Sequence, residues 1–143
     1  MPDIKTLLPH REPFLFVDRI EKADESEIVG YRRFTEAEFF FRGHFPAYPV
    51  VPGVILIETM AQCGGAGARL LGKFEPTALF FLASVDKVKF RAQVRPNDEI
   101  RFHIKNLRLS PRMIKQSGMA FHGEAVVAEA EWMCLVGSQD ALG

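Results

Sequence analysis

The stretch "VPGVILIETMAQCGGAGARLLG", residues 51–72, decides how the rest of the chain is read. Pro52 fixes its backbone and lacks an N–H, which suits the first turn of a helix. From Val54 to Leu71 the residues are apolar or small in almost every direction around a helical wheel, interrupted only by Glu58, Thr59, Gln62 and Arg69. Such a helix is buried on most of its circumference. Gly64, Gly65 and Gly67 lower helix propensity. Their presence predicts close approach by a sheet or a partner. Gly72 is the expected stop.

Outward from this helix, the pattern changes from helical to alternating. "EIRFHIK" (99–105) sets Ile100, Phe102 and Ile104 against Arg101, His103 and Lys105. "FFLASVDKVKF" (80–90), "RMIKQSGMAFHG" (112–123) and "EAVVAEAEWMCLV" (124–136) read as further antiparallel strands, with turns near "RPND" and "LSPR". Upstream, "PFLFVDRIEK" (13–22) and "SEIVGYRRF" (26–34) read as two strands around an acidic turn, and "TEAEFFFRGHFPAYP" (35–49) as irregular. The class predicted is α+β: one long helix wrapped by a curved antiparallel sheet. A sheet that curls around a helix leaves an open edge, which dimerisation would cover.

The 143 residues suit one domain spanning 1–143. Apolar residues make up 48% and charged residues 25%, a soluble balance, and thirteen Phe imply a large buried surface or an acyl channel. No signal segment opens the chain, and the prolines of 46–52 exclude a spanning helix in its longest uncharged run. Cys63 and Cys134 form no CxxC pair, so a reducing cytoplasm fits better than a disulfide framework. Net charge is zero, yet residues 80–115 set nine bases against Asp86, Asp98 and Glu99, a balance of +6. Lys87, Lys89 and Arg91 open that section as a patch able to steer an acidic partner, or as a solvated strand face. Neutral overall charge and the lack of a recognition motif argue against nucleic acid.

The chemistry concentrates around Glu58. No Lys or Arg lies between Gly43 and Ala68, so burial without a counter-ion is expected to raise its pKa and keep a proton on it at pH 7. Gln62 lies one turn on, able to hold the carboxyl. His44 precedes the stiff segment carrying Pro46, Pro49 and Pro52, which is expected to return it across the helix start. Histidine as a residue type can accept a proton near neutral pH, which suits a general base. Gly53 opens the helix, where bare N–H groups and the dipole favour an oxygen gaining negative charge. A base, a protonated acid and an oxyanion donor point to proton abstraction beside a carbonyl with loss of a hydroxyl. β-Elimination of water from a β-hydroxyacyl thioester fits and requires no metal and no redox cofactor.

"LLPHREPFLFVDRI" (7–20) and "GHFPAYPVVPGVILIETMAQ" (43–62) resemble the two signature blocks of the β-hydroxyacyl-acyl carrier protein dehydratases of the FabZ type. The resemblance continues more weakly through residues 80–98 to the last strand. It implies a hot-dog fold and dehydration of (3R)-hydroxyacyl-acyl carrier protein to the trans-2-enoyl product in fatty acid biosynthesis. His44 is then the base and Glu58 the acid, drawn from different subunits, with the Gly53 and Val54 N–H groups facing the thioester carbonyl. It further implies a homodimer or a trimer of dimers and an acyl carrier protein as partner. Ala37 and Ala47-Tyr48 depart from the family pattern, and Glu58 stands where the related dehydratase-isomerases carry Asp.

Two other readings compete. A hot-dog thioesterase would use Glu58 to activate water, and a non-catalytic acyl-binding protein would use the phenylalanines alone. Cys63 reads as packing, and His10, His103 and His122 show no pairing signal.

Overall fold

The computed structural model describes residues 2–44 and 47–138. A short helix α1 (Ile4–Leu7) precedes strands β1 (Arg19–Ala23) and β2 (Glu27–Arg33). A 3-10 turn (Phe39–Arg42) leads to the long helix α2 (Gly53–Leu70), followed by β3 (Ala78–Phe90), β4 (Glu99–Leu109), β5 (Met113–His122) and β6 (Ala125–Ser138). The strands form one antiparallel sheet in the order β1-β2-β4-β5-β6-β3. Helix α2 touches all six. Six strands laid flat would span about 24 Å, far wider than a helix, so the sheet must wrap α2. Register shifts in four of the five strand pairings supply the bends. This is the α+β architecture expected from the sequence.

Alternation in β4 buries Ile100, Phe102 and Ile104 against α2 and turns Arg101, His103 and Lys105 outward. Twelve of the eighteen residues of α2 are buried. The helix ends where expected, with Gly72 at φ +71° just beyond it. Gly64 shows why a glycine is needed inside a helix here: an added Cβ would stand 2.1 Å from Oε1 of Gln116. Gln116 in turn donates to the Gly64 carbonyl (3.2 Å) and to Oδ1 of Asn106 (2.8 Å), and accepts from Nε1 of Trp132 (3.1 Å). The sheet thus grips the helix backbone through a buried side-chain network.

The boundary that differs most from the sequence reading is the start of the first strand. The first strand was expected from Pro13 and begins at Arg19. The reason lies in Gln62, whose amide takes the place of a strand partner. Its Oε1 accepts from the Phe16 N–H (2.8 Å) and its Nε2 donates to the Phe14 carbonyl (2.9 Å). Residues 14–16 therefore pair with a side chain of α2 and not with a neighbouring strand.

Among the described residues strand β3 closes one edge of the sheet and pairs only with β6. Phe81, Leu82, Val85, Val88 and Phe90 on this strand are all exposed. No helix among the described residues is long and apolar enough to cross a membrane.

Candidate active site

Glu58, Ala61, Gln62 and Gly65 recur at helical spacing and form one face of α2. That face is the wall of a cavity of about 410 Å³, closed by Leu8, Pro9 and His10 from the N-terminal segment, Leu79–Leu82 from β3, and Cys134 from β6. Apart from Glu58, Gln62 and His10 the lining is apolar or sulfur-bearing, suited to a chain of methylenes.

The Glu58 carboxyl is held at one oxygen. Gln62 Nε2 donates to Glu58 Oε1 at 3.1 Å and to the Phe14 carbonyl, while Gln62 Oε1 accepts from the Phe16 N–H, so the amide is fixed at both ends. The isolation read from the local sequence is incomplete. His10 arrives from a distant part of the chain and sets Nε2 at 3.7 Å from the same Oε1. The Glu58 side chain also keeps 23% exposure, because it faces an open cavity. His10 stands in the first of the two signature-like blocks; that membership was the signal by which the sequence could have singled it out. Its imidazole is held below its ordinary pKa by burial, against the opposing pull of the Glu58 charge.

His44 leaves the 3-10 turn, its N–H bonded to the Phe40 carbonyl at 3.0 Å. Phe40 is packed with Phe16 and Phe34 at ring distances of 6.0–6.3 Å, which anchors the turn. The His44 ring approaches the Val50 carbonyl through Nδ1 at 3.0 Å. A carbonyl oxygen only accepts, so Nδ1 carries the hydrogen and Nε2 the lone pair in the neutral ring. His44 is not among the residues lining the Glu58 cavity of its own chain. Pro46, part of the expected bend, lies outside the described residues together with Phe45. Tyr48 is exposed beneath the guanidinium of Arg95, 4.0 Å from its ring centroid.

Gly53 and Val54 open α2, where their N–H groups lack intrahelical partners. Val54 is 72% exposed. The close approach that requires glycine at position 53 comes from within the chain: a Cβ there would stand 2.7 Å from the Phe90 ring. The helix start and the far end of β3 are thereby packed together. The nearby bases are partly offset by acids of β6. Arg91 Nε donates to Glu129 at 2.9 Å, Lys87 lies 3.6 Å from Glu131, and Lys89 is registered opposite Glu129. Burial pushes the Cys63 thiol up to about 12, which leaves it a packing group.

Comparison with solved structures gives the class first. A dehydratase heterocomplex from Xenorhabdus doucetiae, ApeI:P, superposes over 99% of this chain and 95% of its own with a TM-score of 0.86 at 15% identity. A hypothetical thioesterase from Streptococcus pneumoniae, solved with coenzyme A, covers 85% and 86% with a TM-score of 0.63 at 13% identity. At such identities the likeness establishes the fold, which is the hot-dog fold.

Sequence then narrows it. The model of the FabA-like domain matches residues 8–131, and the chain belongs to that family. The 3-hydroxyacyl-[acyl-carrier-protein] dehydratase FabZ of Syntrophobacter fumaroxidans is 45% identical over 132 residues, 92% of this chain and 89% of that one. Its counterpart in Desulforamulus reducens is 42% identical over 137 residues, 95% and 96% of the two chains.

Proposed function

We propose that the protein dehydrates (3R)-hydroxyacyl-acyl carrier protein to the trans-2-enoyl thioester, as a step of fatty acid biosynthesis in the cytoplasm. The observation that carries this reading is Glu58 in the wall of an apolar cavity, clamped at one oxygen. Kinship with dehydratases over nearly the whole chain supports it. His44 Nε2 takes the α-proton. The electrons of the broken C–H bond form the Cα=Cβ bond, the Cβ–O bond breaks, and Glu58 supplies the proton with which the hydroxyl leaves as water. The N–H groups of Gly53 and Val54 face the thioester oxygen as its charge grows. The 143 residues act as one hot-dog domain.

The working unit in this reading is a homodimer, alone or as a trimer of dimers. Antiparallel pairing of two β3 edges about a point near Val85 would cover their exposed apolar residues. It would also bring the 87–90 end of one chain against the 79–82 end of the other. Since Phe90 packs on Gly53, the partner's helix start travels with it toward this chain's Glu58 cavity. That arrangement accounts for a cavity which His44 of the same chain does not line.

The test is enoyl absorbance during turnover of a β-hydroxyacyl thioester by the purified protein. Growth of the enoyl band supports dehydration; release of thiol without it would make the protein a thioesterase. Carrier docking at Lys87, Lys89 and Arg91 has its own readout. Reversing the three charges should weaken turnover of carrier-linked substrate, spare a short thioester without the protein, and lose its effect in high salt. Equal losses with both substrates would reject the patch.

A further inference from the structure

The proton-donating role proposed for Glu58 requires one oxygen to be fixed and the other to be presented. Both contacts to the carboxyl fall on Oε1: Gln62 Nε2 at 3.1 Å and His10 Nε2 at 3.7 Å. Among the described residues none hydrogen-bonds Oε2. Gln62 alone leaves the carboxyl able to swing about its last bond, because a single hydrogen bond constrains one direction only. We propose that His10 is a positioning residue for Glu58, its imidazole bracketing Oε1 opposite Gln62 so that Oε2 is the oxygen presented to the cavity. The inference rests on the dehydratase reading given above.

The hydrogen of His10 can be assigned by its surroundings. Nδ1 is buried with no hydrogen-bond partner among the described residues, while Nε2 faces the carboxyl. A buried N–H left unpaired is rarer than an unpaired lone pair, and a carboxylate attracts a donor. Both considerations set the hydrogen on Nε2. At 3.7 Å the contact exceeds hydrogen-bond length, and such contacts tighten when substrate closes the site.

The groups able to disturb this pair are few. Arg11 is a cation acting on His10, but its guanidinium is turned to the carbonyls of Lys5, Leu8 and His10. From β6 comes Cys134, whose thiol is pushed up to about 11 by burial and then by the Glu58 charge, so it stays neutral. The cavity-lining part of β3 contributes only Leu79–Leu82.

Three substitutions separate positioning from packing. The amide nitrogen of His10→Gln reaches where Nε2 stands; that of His10→Asn reaches only where Nδ1 stands; His10→Phe keeps the ring and removes both. His10→Phe and His10→Asn should lower kcat by about 10- to 100-fold, the effect of a misplaced reacting group, with little change in KM. His10→Gln should retain most of the rate. The donor at Nε2 favours the ionised carboxylate. Its loss in the Phe and Asn variants should therefore move the alkaline limb of the kcat profile to higher pH. Wild-type kcat in those two variants overturns the inference, and so does a lower kcat with an unmoved alkaline limb. Should His10→Phe not fold, the Gln and Asn pair decides. Glu58→Gln is measured in parallel. If it is fully active, the dehydratase role of Glu58 has failed. If it is inactive while the His10 variants are normal, only the positioning role has.

Discussion

Glu58 is a carboxyl with two different oxygens, and that asymmetry governs what its substitutions should do. Glu58→Gln keeps the shape and the contact with Gln62 but has no proton to give, so it should fold and lose dehydration. Glu58→Asp keeps the acid and withdraws it by one methylene, and should retain part of the rate, since a general acid works within about 2.6–3.2 Å or through one water. His44→Ala should lower kcat by about 10²- to 10⁴-fold, the usual worth of general acid–base catalysis. The measurement is kcat by enoyl absorbance, after circular dichroism shows each variant folded. An active Glu58→Gln would make the residue structural. The chain locally announced an acid without a counter-ion. It did not announce His10, because nothing in the spacing of two residues so far apart says that the N-terminal segment lies across α2.

Helix α2 carries both the chemistry and the fold, and Gln62 joins the two. Its amide binds the backbone at Phe14 and Phe16 and the carboxyl of Glu58 together. Gln62→Leu should leave the buried Phe16 N–H and the Phe14 carbonyl unpaired, costing about 1–3 kcal/mol for such a group. Urea unfolding should report this as a lower midpoint with an unchanged slope. An unchanged midpoint would mean that residues 14–16 are held by other contacts. Helix and strand identities were readable because each depends on a local period. The late start of β1 was not, since it depends on a hydrogen bond from a glutamine far along the chain.

At the scale of the molecule, the proposed dimer makes a prediction that single-chain models do not. His44→Ala and Glu58→Gln homodimers should both be inactive. After mixing, dissociation and reassociation, half the dimers should hold one chain of each kind. Each mixed dimer then has one intact site of two, giving about one quarter of wild-type activity. No recovery after exchange, with mixed dimers verified by mass, would place both residues of a site on one chain. Sequence by itself determined the helix, the alternating strands, the lone acid on an otherwise apolar stretch of helix and the family resemblance, since these rest on periods and short blocks that neighbouring residues define. Tertiary structure alone decided that Gln62 replaces a strand partner, that Phe90 fills the space beside Gly53, and that His10 faces Glu58. Those are contacts between segments brought together only when the sheet wraps the helix, and no local pattern encodes them.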